Sequence, residues 1–165
     1  MAGPDMSGPA MTDVGAILDA ARTRLAGSPR ERLGDWAASR RLLGFGRAPR
    51  IVPVGEAWHV GVLLIGDAEV WATGEVLRAR TEAPRGYTAQ AQRERSERAA
   101  AAARGGFAEG EVLHLGAAPI DLDALARGEA SGPLSLVLDV PHIRWSATGQ
   151  TRPLSAYLDD QLALR

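Results

Sequence analysis

Apolar residues repeat every three to four positions in the N-terminal part of the chain, which predicts two helices. The first helix begins near Asp13 and ends at Gly27. Its apolar stripe consists of Val14, Ile17, Leu18, Ala21 and Leu25. The second helix is predicted to begin at Ser28, because residues 28–31 (Ser-Pro-Arg-Glu) match a capping box. Its buried face would consist of Leu33, Trp36 and Ala37.

Between residues 50 and 80 the pattern changes to short runs of β-branched and aromatic residues, which predicts strands. The runs are residues 51–54, 58–65, 69–73 and 75–80. Gly66 and Asp67 lie between two of these runs and predict a hairpin turn. Residues 58–65 are apolar at nearly every position, which favours a central strand in an antiparallel meander.

The C-terminal half alternates between helical and extended patterns. Helices are predicted over residues 88–104, over residues 121–128 with Asp121 as the N-cap, and from Pro153 onward. Strands are predicted at residues 112–115, 134–138 and 143–145. The helix over residues 88–104 carries mainly Ala on its apolar side, so we expect its core contacts to be made by small side chains.

Taken together, these patterns predict a single α+β domain over residues 12–165. We expect a mostly antiparallel sheet covered by flanking helices, because the strands are short and separated by turn residues. Residues 1–11 mix Gly, Pro, Ser and Met and are expected to form a disordered leader.

The composition removes several catalytic chemistries. The nineteen residues counted as Lys or Arg are all Arg, and the chain also contains no Cys and no Asn. A Schiff base, a Gly-Lys-Ser/Thr phosphate loop and a Ser-x-x-Lys acyl-transfer site all require Lys. A thiolate nucleophile and a disulfide require Cys. The side chains left for chemistry are those of His, Asp, Glu, Ser, Thr, Tyr and Arg.

Charge and hydropathy favour a cytoplasmic protein. The net charge of −1 gives no general attraction to nucleic acid or to an anionic membrane. The longest apolar run, residues 60–65, is far shorter than the roughly 20 residues of a membrane span. The first residues lack the basic and apolar regions of a secretory signal. We therefore expect a cytoplasmic protein with no membrane contact and no cofactor, and a homodimer as its assembly.

Three histidines, His59, His114 and His142, each lie in or beside a predicted strand. We expect structural or surface roles for them and no bound metal. The alternative is that the three hold one metal ion, because strands distant in sequence can converge in a sheet. No His-Glu-x-x-His pattern supports a metal site. In a catalytic interpretation, His59 is a general base that Glu56 or Glu75 orients.

Arginines are concentrated in two segments that could bind an anion. The first segment contains Arg40, Arg41, Arg47 and Arg50, with Gly44-Phe45-Gly46 in its middle. Guanidinium groups match phosphate and carboxylate, and glycine lets backbone amides approach an anion, but a solvated loop is the alternative. Arg78 and Arg80 alternate onto one face of a predicted strand and could hold an acidic ligand.

Tryptophan dominates the aromatic residues, with four Trp against two Phe and two Tyr. The tryptophans are Trp36, Trp58, Trp71 and Trp145. Aliphatic neighbours indicate core positions, where each indole N–H needs a hydrogen-bond acceptor. Alternatively, Trp58 and Trp71 flank a hairpin and form an exposed patch for a partner.

Two segments carry a resemblance to a known family. They are residues 50–66 (Arg-Ile-Val-Pro-Val-Gly-Glu-Ala-Trp-His-Val-Gly-Val-Leu-Leu-Ile-Gly) and residues 72–80 (Ala-Thr-Gly-Glu-Val-Leu-Arg-Ala-Arg). The chain resembles, over about residues 12–165, small actinobacterial proteins of unassigned function, some of which carry the label glutaminase. That label implies hydrolysis of glutamine. No functional residue is carried over, because glutaminases use a Ser-x-x-Lys, Cys or Thr/Lys site and this chain has neither Lys nor Cys.

The sequence leaves three functional hypotheses open. The first is a non-catalytic binding or interaction domain, possible ligands being small anions held by the arginines. The second is a small, glutaminase-like hydrolase that uses a His/carboxylate pair. The third is nucleic-acid binding through residues 40–50, which the net charge of −1 disfavours.

Overall fold

The structure is a computed structural model that describes residues 13–38, 48–81 and 89–165. The predicted leader lies outside the described residues. The described chain divides into two compact units. The central unit comprises residues 27–38, 48–59, 63–81 and 89–119. The terminal unit comprises residues 13–26, 60–62 and 120–165.

Helices and a mostly antiparallel sheet confirm the predicted α+β class. The elements in chain order are α1 (Val14–Leu25), β1 (Glu31–Trp36), β2 (Ile51–Val60), β3 (Leu63–Ile65), β4 (Val70–Ala72), β5 (Glu75–Arg78), α2 (Gln90–Gly105), β6 (Val112–Leu115), β7 (Ala118–Pro119), α3 (Leu122–Ala126), β8 (Leu134–Val137), β9 (Val140–Arg144), β10 (Thr151–Pro153) and α4 (Leu154–Ala163).

The main sheet has the strand order β5-β6-β1-β2-β3-β4-β7 within the described residues. Strands β2, β3 and β4 follow one another in the sheet, as predicted for the meander, and β1 is added beside β2. The run over residues 75–80, also expected in the meander, instead forms β5 at an edge of the sheet, paired with β6. The pairs β1/β2, β3/β4, β4/β7 and β5/β6 are antiparallel. The pair β1/β6 is parallel, and it is this pair that connects the edge hairpin β5/β6 to the meander.

Helix α2 covers one face of the main sheet. Its Ala99, Ala101 and Ala102 are buried, so the expectation of small core side chains on this helix is confirmed. The buried cluster on this face consists of Ile51, Leu77, Ala79, Ala101, Ala102, Phe107, Leu113 and Leu115. Close approach of the helix depends on Gly105, because a Cβ atom there would lie 1.6 Å from the backbone oxygen of Ile51.

The opposite face of the sheet holds a smaller cluster of Leu33, Ala57 and Leu64, with Trp71 and Ala117 packed against it. Side chains alternate between faces along a strand, so Glu31 lies on the same face as Leu33. The register pairs Glu31 with Ala57 and Leu33 with His114. This face of the sheet therefore also carries the side chains of Glu31 and His114.

The terminal unit contains a three-stranded antiparallel sheet, β10-β9-β8, and helices α1, α3 and α4. Helix α4 packs on α1, β9 and β10 and buries Leu154, Tyr157 and Leu158. The predicted N-cap Asp121 is confirmed, since its side chain accepts a hydrogen bond from Ala124 N. Helix α1 begins where predicted, and Asp13 is its N-cap, accepting a hydrogen bond from Gly15 N.

The predicted helix at Ser28 is wrong, because residues 31–36 form strand β1. A capping box contributes only local hydrogen bonds, whereas β1 pairs along its length with β2 and in part with β6. The backbone oxygen of Ser28 instead accepts a hydrogen bond from the Trp58 indole at 3.1 Å. Tertiary pairing has overridden the local signal.

The single strand expected over residues 58–65 is also wrong. The chain turns at Gly61 and Val62, which separate β2 from β3. Gly61 has a φ of +60°, and a Cβ atom there would lie 1.8 Å from the Tyr157 hydroxyl oxygen. That hydroxyl accepts a hydrogen bond from Val62 N at 2.9 Å, so the turn is fixed by α4. The hairpin turn predicted at Gly66 is confirmed.

The tryptophans divide between core and surface. Trp58 is buried and its indole is hydrogen-bonded, as predicted for a core position. The guanidinium of Arg30 stacks 4.1 Å from its ring centroid. Trp71 is half-buried, whereas Trp36 and Trp145 are exposed, so the core positions predicted for these last two are wrong.

We predict that Gly34→Ala destabilises the protein by about 1–3 kcal/mol, because the new methyl group overpacks the face covered by α2. A Cβ atom at Gly34 would lie 2.6 Å from Leu113 Cδ1 and 2.9 Å from Ile51 Cγ2. The free energy of unfolding from urea denaturation measures the effect. Gly55→Ala on β2 is the control, since its Cβ would meet only Leu33 Cδ1 at 3.7 Å. Equal stability of the two variants would contradict the packing described.

Candidate functional site

Three polar side chains from three adjacent strands meet on the face of the main sheet opposite α2. Glu31 comes from β1, His59 from β2 and His114 from β6. In the strand order β6-β1-β2, the strand that carries Glu31 lies between the strands that carry the two histidines. The register brings them together because Leu33 pairs with His114 while Glu31 pairs with Ala57, two residues before His59.

One carboxylate oxygen faces both histidines. Oε2 of Glu31 lies 2.5 Å from Nε2 of His114 and 3.4 Å from Nδ1 of His59. The two imidazole rings meet edge to face, with centroids 4.6 Å apart and an interplanar angle of 69°. One nitrogen of each histidine and one oxygen of Glu31 all lie within 4.8 Å of one another.

The cluster is buried on one side and open on the other. The His114 side chain has no exposed surface, whereas His59 retains 31% and Glu31 38% of their side-chain exposure. Solvent therefore reaches the cluster at His59 and Glu31. The buried side is formed by His114, which lies within strand β6.

His114 carries an unsatisfied nitrogen. Its Nδ1 is buried and has no hydrogen-bond partner among the described residues. An ionised carboxylate accepts hydrogen bonds, so the contact with Glu31 favours the tautomer with the proton on Nε2. A buried polar atom without a partner costs stability, so such an atom needs a reason other than stability.

Two histidines and one carboxylate form a donor set known from metal centres. Zinc sites use histidine nitrogen and carboxylate oxygen, and a site with three protein ligands leaves a position for another ligand. Non-haem iron centres use the same two-histidine, one-carboxylate set. Without a metal, the cluster can instead hold a proton between the carboxylate and an imidazole and orient His59 as a base.

The structure brings together two of the three histidines predicted as a metal site. His142 lies on β9 in the terminal unit, where its Nδ1 is 3.0 Å from the backbone oxygen of Val140. The third member of the observed cluster is Glu31, which the sequence did not single out. The sequence does not indicate Glu31 as a site residue, because residues 28–31 match a capping box and predict a helix rather than a strand there.

The carboxylate beside His59 differs from those expected. Glu75 pairs with Arg98, whose Nε lies 2.8 Å from Oε2 of Glu75. Glu56 is exposed, and its Oε1 lies 3.7 Å from Arg30 Nη1. The structure places Glu31, rather than either of these, within hydrogen-bonding range of the two histidines.

The arginines predicted as anion ligands do not form one group in the structure. Arg40, Arg41 and Arg47 lie outside the described residues. Arg50 is half-buried, and its backbone oxygen accepts a hydrogen bond from Ala37 N at 2.9 Å. Arg78 and Arg80 are exposed on the edge strand β5 and just after it, and they line a cavity beside α2.

Comparisons of this chain with protein families, with curated proteins and with solved structures find no match. In the described part of the chain, helices are too short or too polar to cross a membrane.

We predict that Thr81→Ala raises the pKa of Glu109. The backbone N–H and the hydroxyl of Thr81 both donate to Oε2 of Glu109, and these hydrogen bonds hold the pKa of that carboxyl below its usual value. A depressed pKa means that Glu109 stabilises the fold above its unfolded pKa and that this contribution is lost as pH falls through the folded pKa.

Carboxyl-carbon NMR titration of Glu109 measures this change. The variant loses the hydroxyl donor and keeps the backbone donor, so the pKa should move only part of the way back. Thr73→Ala, which leaves the contact between Thr81 and Glu109 intact, is the control. An unchanged Glu109 titration in the Thr81 variant would refute the assigned cause.

Proposed function

We propose that this protein binds a divalent transition-metal ion of the zinc class through Glu31, His59 and His114. The observation that carries the proposal is one carboxylate oxygen facing ring nitrogens of two histidines from neighbouring strands. Imidazole and carboxylate together suit zinc and iron better than calcium or magnesium, which prefer oxygen ligands.

The spacing of the three donors supports a metal ion. Zinc–nitrogen and zinc–oxygen bonds of roughly 2.0–2.2 Å in tetrahedral geometry separate neighbouring donor atoms by about 3.3 Å. His59 Nδ1 and Glu31 Oε2 are 3.4 Å apart, close to that value. His114 Nε2 and Glu31 Oε2 are 2.5 Å apart and would have to separate by about 1 Å. Because the side chain of Glu31 is partly exposed, it has room to make this adjustment.

Partial exposure supports an open site over a purely structural one. Structural zinc is usually enclosed by four protein ligands, whereas three ligands beside solvent leave a position for a further molecule. The proposed function is therefore metal-dependent binding of a small ligand, with His114 as the buried anchor and His59 and Glu31 at the entrance.

A second candidate is a hydrolase that works without a metal. Glu31 Oε2 lies 3.4 Å from His59 Nδ1, which favours a carboxylate that orients His59 as a general base. This continues the His/carboxylate hypothesis, including its glutaminase form, with a different carboxylate. Ester or amide hydrolysis that persists in EDTA and disappears in His59→Ala would favour this candidate over the metal centre.

We also propose a cytoplasmic location, which the absence of cysteine from the sequence supports. The homodimer stays a prediction, and size-exclusion chromatography with light scattering measures it. Nucleic-acid binding through residues 40–50 is a hypothesis that rests on the sequence alone.

We predict that the EDTA-treated protein binds one Zn²⁺ per chain in isothermal titration calorimetry. His59→Ala and Glu31→Gln each remove one donor atom and should weaken binding at least about 100-fold, beyond the 10–100-fold typical of lost supporting contacts. Both side chains are partly exposed, so these variants should stay folded, which circular dichroism checks.

His142→Ala is the matched control, because it removes the same side chain from the terminal unit. Its zinc affinity should equal that of the unmodified protein. If zinc fails to bind the unmodified protein, or if His142→Ala weakens binding as much as His59→Ala, the proposed centre is wrong.

We predict that His114→Leu abolishes zinc binding without a large loss of stability. Leucine removes the buried unpartnered Nδ1, and Glu31 can be hydrated because it is partly exposed. The free energy of unfolding in EDTA should therefore stay within about 1 kcal/mol of the unmodified protein or rise. A loss of more than about 2 kcal/mol would show that the contact between His114 and Glu31 serves the fold.

A further inference from the structure

A cavity of about 440 Å³ lies between the edge strand β5 and helix α2 in the central unit. Its lining consists of Leu77, Arg78, Arg80, Gln92, Arg95, Ser96 and Ala99. Gln92, Arg95, Ser96 and Ala99 follow helical spacing and therefore lie on one face of α2. Three arginines thus line one cavity, two from the β5 segment and one from the helix.

Two of these guanidinium groups are held in place by the protein. Arg78 Nη1 donates to the backbone oxygen of Gly110 at 2.9 Å, and Arg95 Nη2 donates to the backbone oxygen of Val76 at 3.3 Å. Each bond uses one of five N–H donors and leaves the others for a ligand. Side chains that are ordered beforehand lose less entropy when a ligand binds.

The positive charge of this cavity is only partly compensated. Among the described residues, the lining includes no carboxylate. Neither Arg78 nor Arg95 forms an ion pair with a described acidic residue. Glu109 lies in an adjoining cavity together with Arg78, Arg80 and Thr81. The Glu109 carboxylate is bound by Thr81 and is close enough to Arg80 to offset part of that charge.

We propose that this cavity binds a small molecule through a phosphate group. Guanidinium forks match phosphate oxygens, and the two negative charges of a phosphate balance the charge left by three arginines and Glu109. Gln92 and Ser96 supply further polar groups on the helix side of the same cavity. A monocarboxylate would neutralise only one of the charges.

The site is separate from the proposed metal centre. The described residues that line the cavity share no member with the cluster of Glu31, His59 and His114. One of them, Leu77, belongs to the buried cluster beneath α2. The phosphate proposal therefore holds or fails independently of zinc binding. The sequence had singled out Arg78 and Arg80, and the structure adds Arg95 from α2.

The experiment is a titration of the EDTA-treated full chain with inorganic phosphate at low ionic strength. Isothermal titration calorimetry measures the binding. The unmodified protein should bind one phosphate saturably. Arg80→Gln and Arg95→Gln each remove one charged donor and should weaken binding about tenfold or more. Arg93→Gln is the matched control, since it removes the same charge from the same helix but does not line the cavity.

Phosphate affinity in the control should stay within about twofold of the unmodified protein, because Arg93 is exposed to solvent, which screens its charge, and does not line the cavity. Absence of saturable binding, or equal losses in Arg93→Gln and Arg95→Gln, would overturn the site. Malonate that binds as tightly through the same arginines would overturn the phosphate assignment in favour of a dicarboxylate. Loss of phosphate binding in Glu31→Gln would place the anion at the other centre and overturn the proposal.

Discussion

The pairing of β1 between β2 and β6 is the constraint on which the rest of the central unit depends. It completes the main sheet by connecting the hairpin β5/β6 to the meander. On the face covered by α2 it brings Gly34 against Leu113 and Ile51, where an added side chain would overpack the core. On the other face it brings Glu31 next to both His59 and His114. A shift of β1 by one residue would exchange the two faces and remove both features.

The two faces of the main sheet differ in the side chains that they carry. The face under α2 is packed with aliphatic side chains and alanines, and its glycines let helix and sheet approach closely. The opposite face has a smaller apolar cluster and carries a buried imidazole next to a carboxylate. An apolar side chain in place of His114 would pack without an unsatisfied nitrogen, so this position is more consistent with a binding role than with stability.

Much of the fold was predictable because its signals are local. Helices α1, α3 and α4 follow from apolar periodicity, and α2 follows from its alanine-rich, helix-favouring sequence. The cap at Asp121 follows from a side chain that bonds to a nearby amide. The errors have long-range causes. Residues 28–31 carry a helix-start signature, yet strand pairing with β2 and β6 outweighs it. The turn at Gly61 depends on Tyr157, which lies far away in sequence and contacts it only in the folded chain.

The sequence by itself determined which side chains are available: histidines in or beside strands, arginines without lysine, and no cysteine. It also indicated His59, Arg78 and Arg80 as candidates, because each lies in or beside a strand pattern. Only the tertiary structure decided which partners they meet. Glu31 joins His59 and His114, and Arg95 joins Arg78 and Arg80, through strand order and helix packing. Residues so distant in sequence become neighbours through the register of the sheet, which no local pattern encodes.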